Sequence, residues 1–370
     1  MAEFNPKDRS PIMNGNEAEK AADFANYFCS YAYLYHQKQM LMDHVRMKAY
    51  HSAIMANKSL FEGKVVLDVG TGSGVLAMWA AQAGAAKVYA VEYTDMANHA
   101  RNMVEGNGLS GIVEVIQSSV EDLELPCKVD IIISEWMGYM LLRESMLDSV
   151  IRARDKWMKP TGAMFPSHAT MYWGAVSYED DHHQKTGEFD HSLHEWDKFK
   201  GEMSQYYNLN MSPLDAPYKK EQKDYFIFSS LWTELRPEHV VGEPSVIKRL
   251  NLNTCTLEDA ENVKLIKYDI TIPFSVQVSG YAGWFTVDFA GSDSMPVKRR
   301  VVLSTGPEAG YTHWAQQVFY LPTPVDCSPD TKLHGDFEMY RQQKNKRLYN
   351  VKIHHNVDDS TAEEMVYEIP

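Results

Sequence analysis

Two glutamates nine positions apart, Glu135 and Glu144, flank the apolar, glycine-containing run Trp136-Met137-Gly138-Tyr139-Met140-Leu141-Leu142. Carboxylates paired across one turn could clasp a planar cation through charge-assisted, fork-like hydrogen bonds. A guanidinium is such a cation. It is always protonated and its charge is delocalised, so it is a poor nucleophile unaided. The acids would draw positive charge toward the nitrogens they hold, and they would offset the charge that shifts onto the attacking nitrogen. The blander reading has Glu144 opening the next helix, where an acid is favoured, and Glu135 capping or facing solvent. Spacing alone leaves both open.

A second constellation lies upstream. Asp68-Val69-Gly70-Thr71-Gly72-Ser73-Gly74 follows an apolar run and precedes a small-residue helix pattern. Glycines let a backbone approach a ligand closely, and the amides at a helix start can donate to it. The spacing is GxGxG, not the GxGxxG of a dinucleotide loop. An acid just before the loop would repel a pyrophosphate and attract an ammonium. Glu92 ends the second apolar run, where a carboxylate can accept ribose hydroxyls, and Glu121 follows the third, placed for an adenine amino group. Each alone could be a surface acid. Together, beside one glycine loop, they fit S-adenosylmethionine better than NAD.

The elements that must carry these residues are legible. VVLDV (65–69), VYAVE (88–92), VEVIQ (113–117) and VDIIIS (129–134) are strand candidates. Helical patterns over 75–84, 96–108 and 144–158 alternate with them, which predicts a parallel sheet covered on both faces. Residues 23–57 read as one or two preceding helices. Beyond Pro166 the rhythm changes. KYDITIPFSVQV (267–278) alternates strictly, and FTVDF, RVVLS, VFYL and YNVKI add further short strands, which suggests an antiparallel barrel or sandwich. Residues 178–217 interrupt that rhythm with an acidic, aromatic, partly helical segment too long for a passive loop. His182 and His183 within it read as surface residues, and Lys298-Arg299-Arg300 as a solvated strand flank.

Composition sets the outer bounds. A chain of 370 residues has room for two cores. With 44% hydrophobic residues it reads as globular, and no apolar run approaches a membrane span. The polar first 20 residues do not read as a secretory signal. Cys29, Cys127, Cys255 and Cys327 are scattered without CxxC pairing, so neither a metal site nor a disulfide framework is suggested. That pattern fits a reducing compartment. The net charge of −14 disfavours nucleic acid as a direct partner and favours basic ligands.

These motifs, taken in order, resemble the protein arginine N-methyltransferases. SEWMGY with Glu144 matches their double-E loop; YFxxY (Tyr27, Phe28, Tyr31), VLDVGTGSG, ARDKW (153–157) and YTHW (311–314) match elsewhere. The similarity runs from about Asp23 to the C-terminus, and the overall look is of a plant member. The resemblance implies an α/β Rossmann-like methyltransferase domain followed by a mostly antiparallel β-barrel-like domain with a helical dimerisation arm. It divides the chain into a flexible segment (1–22), N-terminal helices (23–57), a cofactor-binding domain (58–165) and a barrel (166–370) whose arm at 178–217 would make a homodimer. It implies S-adenosyl-L-methionine as cofactor, S-adenosyl-L-homocysteine as product, and peptidyl arginine in histone or Gly/Arg-rich tails as substrate. Glu135 and Glu144 would hold the guanidinium. Asp68, Gly70, Glu92 and Glu121 would hold the cofactor, Arg46 would pair with its carboxylate, and Phe28 would cover the adenosyl group. Met146 would line its pocket. Met40 and Met146 correspond to methionines beside the reacting nitrogen, and with THW they imply the asymmetric-dimethylating type I class. His313 would approach Asp43, as a structural tie or as a proton acceptor. Gln37 departs from the family, where many members have a cofactor-binding histidine. The cytoplasm and nucleus are the expected location. A methyltransferase for small molecules or nucleic acid, and an inactive scaffold, are the alternatives; paired glutamates would repel phosphate, and intact cofactor acids argue against inactivity.

Overall fold

The computed structural model describes residues 31–358 and 360–369. The expectations for residues 1–22 and for Tyr27, Phe28 and Cys29 lie outside the described residues.

Helices α1 (Leu34–Met42), α2 (His44–Met55) and α3 (Lys58–Phe61) lead into the first sheet. There β1 (Val65–Val69), α4 (Val75–Gln82), β2 (Lys87–Glu92), α5 (Met96–Gly106), β3 (Val113–Gln117), β4 (Val129–Ser134), α6 (Leu147–Trp157) and β5 (Met158–Phe165) follow in turn. The sheet is parallel, with strand order β3-β2-β1-β4-β5. The chain winds outward from β1 to β3 and then restarts at β4 on the other side of β1. Such a reversal opens a crevice at the carboxyl ends of β1 and β4, where ligands bind in folds of this class. Four of the five β1 residues and five of the six in β4 are buried, as expected of parallel strands packed on both faces. In α4 the small residues Ala77, Ala80 and Ala81 are buried and let the helix sit close to the sheet.

The second half is antiparallel. β6 (His168–Val176) is followed by α7 (Glu179–Tyr207) and α8 (Asp215–Phe226), then by β7 (Leu231–Thr233), β8 (Val240–Asn251), α9 (Leu257–Glu261) and β9 (Val263–Thr271). β10 (Val276–Gly291), β11 (Pro296–Ser304), β12 (Gln316–Cys327), β13 (Lys332–Arg341), β14 (Tyr349–Val357) and β15 (Glu363–Ile369) complete it. One sheet runs β7-β12-β10-β6-β8 with β11 also on β10, and the other runs β15-β14-β13-β9. Trp173 anchors the interior between them. Its ring stacks on Tyr281 at 5.2 Å and meets Phe319 and Phe337 at 5.1 and 4.8 Å.

One continuous apolar core runs through both halves. Polar contacts reinforce the join: Arg154 donates to the Leu252 carbonyl at 2.9 Å, and the Asn57 side chain makes two bonds to the Arg299 backbone, each at 2.9 Å.

Several sequence expectations need correction. The run 267–278 is two strands separated by a turn at 272–275, because Pro273 has no amide to give a ladder and Phe274 turns out to solvent. The helix expected from 144 starts at Leu147, because Glu144 and Ser145 have positive φ. The interrupting segment is longer than 178–217. α7 and α8 form a helical pair through residue 226, with Trp196 stacked on Tyr218 at 4.2 Å and bonded to Asp215 at 2.7 Å. His182 is not a surface residue. It is 4% exposed, and its ring Nε2 lies 2.8 Å from the Leu321 carbonyl, at the root of that pair. Lys298, Arg299 and Arg300 lie within β11 rather than beside it, with Arg300 paired to Asp288.

Candidate active site

The glycine loop leaves β1 and enters α4. Gly70, Gly72 and Gly74 have φ of 71°, 53° and 88°, values that side chains disfavour. A Cβ on Gly70 would lie 2.4 Å from Met146 Cε, and one on Gly72 would lie 2.8 Å from Gln37 Oε1. The loop is therefore lined by one side chain from the start of α6 and one from α1.

Asp68 lies beneath this loop, fully buried. Thr71 Oγ1 donates to its Oδ2 at 2.6 Å, while Oδ1 has no hydrogen-bond partner. Burial pushes its pKa up to about 7, against hydrogen bonds from the Thr71 hydroxyl and the Ala77 amide, and the Glu92 charge adds to the rise. Glu92, at the end of β2, accepts from the Gly72 amide at 3.0 Å and from the Thr94 amide and hydroxyl at 2.9 and 2.7 Å. Glu121 is exposed and accepts from Ser149 of α6 at 2.9 Å.

Glu135 follows β4 directly, across the crevice from β1. Its Oε2 accepts from Arg46 Nε and Nη2 at 3.1 and 2.9 Å, and its Oε1 is buried without a partner. Arg46 Nη1 also donates to the Met40 carbonyl at 3.1 Å. Here, then, Arg46 is engaged by the first glutamate, as two shielded opposite charges side by side would dictate. Glu144 stands at φ 80°, with Tyr31 Oη donating to its Oε2 at 2.8 Å and Arg143 3.4 Å from its Oε1. The turn between the glutamates is tight. A Cβ on Gly138 would lie 1.9 Å from the Arg143 carbonyl oxygen, so no other residue fits without moving backbone.

The barrel reaches this site through residues 312–315. Asp43 caps α2 by accepting from the Arg46 amide at 2.9 Å, and the same carboxylate meets the His313 amide at 2.9 Å and its Nδ1 at 2.8 Å. Burial works against the Asp43 charge, but the hydrogen bonds from the His313 ring and from the Arg46 and His313 amides outweigh it. They hold the carboxyl below its ordinary range. Next door, Trp314 Nε1 donates to the Met137 carbonyl at 2.7 Å, bracing the turn that carries both glutamates.

The structure thus gathers Gln37, Asp68, Gly70, Glu92 and Met146 around the glycine loop, and Met40, Arg46 and Glu135 beside it. Asp43 and His313 form the tie, and Glu121 stands at the surface. Sequence reasoning missed Thr71 and Thr94, which hold the two buried acids. Their signal was a hydroxyl two or three positions after each acid, the spacing of a side-chain turn. Asp68 and Glu135, on neighbouring strand ends, each retain one buried oxygen without a donor. Such acids are short of N–H groups, and that suits ligands that bring positive charge.

Residues 167–360 match the family model described as the arginine methyltransferase oligomerization subdomain, and residues 66–162 match a methyltransferase domain. The chain is 47% identical over 351 residues to protein arginine N-methyltransferase PRMT10 of Oryza sativa subsp. japonica, with 94% of this chain and 91% of that protein covered. The PRMT10 of Arabidopsis thaliana is 46% identical over 345 residues, with 93% and 90% covered. The chain belongs to the protein arginine N-methyltransferase family. The crystal structure of Arabidopsis thaliana protein arginine methyltransferase 10, described as uniquely open, superposes on this methyltransferase with a TM-score of 0.90. The two are 44% identical over 93% of this chain and 100% of that one. The Trypanosoma brucei PRMT1 enzyme–prozyme heterotetramer with AdoHcy gives a TM-score of 0.77 at 28% identity, over 92% of this chain and 100% of that one.

Proposed function

We propose that this protein arginine N-methyltransferase is a type I enzyme, making monomethylarginine and then asymmetric dimethylarginine. S-adenosylmethionine supplies an electrophilic methyl on a sulfonium, and the observation that carries the reading is the pair of donor-deficient acids, Asp68 and Glu135, at neighbouring strand ends. Asp68 would take the donor's ammonium. Gly70 leaves room for its approach, and Gln37, Met40, Arg46, Glu92, Glu121 and Met146 are the further candidates to hold it. Glu135 and Glu144 would fix the substrate guanidinium and keep charge on the nitrogens they hold, leaving one terminal nitrogen to attack. Fixing that geometry is worth more than any single contact, because reacting groups held near in line avoid most of the entropy of encounter. Asp43 and His313 brace α2 against the barrel, and the ring also stands as a candidate proton acceptor. Met146, packed against Gly70, supports the type I reading by narrowing the site beside the donor. Incubation with labelled S-adenosylmethionine and a basic arginine-containing peptide tests the assignment by mass spectrometry. Asymmetric dimethylarginine is the expected product. Symmetric product overturns the class, and unmodified arginine overturns the activity.

The net charge of −14 supports basic tails, histone or Gly/Arg-rich, as substrates, and the scattered cysteines without CxxC pairing support the cytoplasm and nucleus as the place of action. The chain carries the family's oligomerization subdomain. The α7–α8 pair presents Tyr206, Tyr207, Leu209 and Leu214 to solvent around its connecting turn, exposed apolar side chains that suit a homodimer. Replacing residues 179–226 by a short linker should give a monomer in sedimentation and lower kcat/KM at least about tenfold, ~1.4 kcal/mol. An unchanged dimer would exclude the arm from assembly.

A further inference from the structure

The turn carrying the glutamates is built from conformations that L-residues avoid. Met140, Leu141, Glu144 and Ser145 all have positive φ. Such backbone persists only where its surroundings over-determine it. The first two are fixed within the turn, where the Gly138 amide donates to Leu141 at 3.0 Å and the Leu142 amide to Met140 at 2.6 Å. Glu144 is fixed from elsewhere. Its amide donates to the Arg347 carbonyl at 2.8 Å, and Arg347 Nη1 returns a bond to the Glu144 carbonyl at 2.8 Å, across 203 positions of sequence. One residue on, Ser145 Oγ donates to the Lys346 carbonyl at 2.7 Å.

Both partners sit in the connection 342–348 between β13 and β14, which is itself tied down. The Gln342 amide bonds Leu348 at 2.9 Å, and the Arg347 amide bonds the Asn345 side chain at 3.0 Å. Arg341, at the end of β13, grips Asp148 of α6 through two bonds of 2.7 Å and reaches Tyr349 at 2.8 Å. The barrel hairpin thus holds the segment from Glu144 to Asp148 by its backbone and by a bidentate ion pair.

We propose that Arg347 is a positioning residue for methyl transfer: from the β13–β14 hairpin it straps the backbone of Glu144 in its left-handed conformation and so aims that carboxylate at the substrate guanidinium. This rests on the reading of Glu144 as half of the clasp. An acid displaced by about 1 Å loses much of its worth in an oriented reaction, on the order of 10²-fold. The bonds from Arg347 reach the backbone of Glu144 and not the glycine loop or Asp68, which belong to the β1–α4 connection; Met146, two residues past Glu144, is the side chain that meets that loop.

The test uses the full chain and compares Arg347→Ala, Arg347→Lys, Lys346→Ala and Glu144→Gln. Each is assayed for peptide kcat and KM, for S-adenosylhomocysteine affinity by calorimetry, and for hydrogen exchange over residues 138–146. Arg347→Ala should lower peptide kcat/KM about 30-fold, speed exchange in the turn, and leave S-adenosylhomocysteine affinity within about twofold. Arg347→Lys should recover part of the loss. Lys346→Ala should behave as wild type, since Lys346 contributes its carbonyl. Wild-type kcat/KM in Arg347→Ala, or a loss of S-adenosylhomocysteine affinity matching the loss of turnover, overturns the strap. If Arg347→Ala does not fold, Arg347→Lys decides: reduced turnover with intact affinity supports the strap, and wild-type turnover overturns it. Glu144→Gln separates the two ideas. Normal turnover there removes the clasp itself, whereas an inactive Glu144→Gln beside a normal Arg347→Ala removes only the strap.

Discussion

Glu144→Gln should lose about 10²–10³ in kcat while binding S-adenosylhomocysteine normally, and Glu135→Gln should lose at least as much and weaken that binding too. The difference follows from their partners. Glutamine keeps the shape of each side chain and removes the charge, so the guanidinium would lose its charge-assisted bonds. Glu144 is partly exposed and faces Tyr31 and Arg143, so its neutralisation stays local. Glu135 is paired with Arg46, both side chains being mostly shielded at 10% and 12% exposure. Removing its charge strands the Arg46 guanidinium, an outcome that costs more than losing the pair's attraction alone. Glu135→Gln should therefore also melt at a lower temperature. Steady-state kinetics, calorimetric titration and thermal melts measure the three quantities. Full turnover by both variants would remove the clasp from the mechanism.

Asp68 should make the ligand-free protein less stable as pH rises through the weakly acidic range. An unfolded aspartate titrates near ~3.9, whereas buried Asp68 holds its proton to about 7. Below both values the group is neutral in each state and contributes nothing. Between them the folded protein keeps a proton the unfolded chain has lost, so each increment of pH favours unfolding. Above about 7 the full penalty stands, roughly 4 kcal/mol for three pKa units of a fully buried group. Asp68→Asn should flatten that slope between pH 4 and 7, as read from urea midpoints across the range. It should also abolish turnover, because the asparagine cannot pair with an ammonium. A cation meeting Asp68 favours its charged form, so S-adenosylmethionine uptake at pH 6.5 should release a proton in wild type and not in Asp68→Asn. Calorimetry in two buffers of different ionisation enthalpy reads this directly. Equal heats in both buffers for wild type, with parallel pH–stability curves for the two proteins, would show that Asp68 is already charged at that pH.

Four of the five parallel strands were legible nearly to the residue, and β5 (Met158–Phe165) was missed, because Pro160 and Gly162 read as the stop of the preceding helix rather than as part of a strand. β1, β3 and β4 occupy the runs read from sequence: β1 and β4 are short apolar blocks buried on both faces, and the edge strand β3 keeps Val113, Val115 and Ile116 between polar residues. The antiparallel half was legible only in outline. β13 and β15 carry charged residues on one face, in Lys332–Arg341 and Glu363–Ile369; glycine and histidine dilute the alternation in β13, and β15 is short, with glutamates at three of its seven positions. The site divides the same way. Asp68, Glu92 and Glu135 announce themselves because each ends or follows a strand. Arg347 does not: its role depends on a turn about 200 residues distant in sequence, and no local pattern encodes that meeting. His182 was misread for a related reason, since the Leu321 carbonyl that receives it lies far along the chain.

The tie between Asp43 and His313 spans 270 positions. During synthesis the parallel sheet could assemble early, but α2 would lack the anchor for its capping carboxylate until translation had passed Trp314. A nascent chain still short of that point would carry the residues of the parallel sheet without the contact that ties α2 to the barrel.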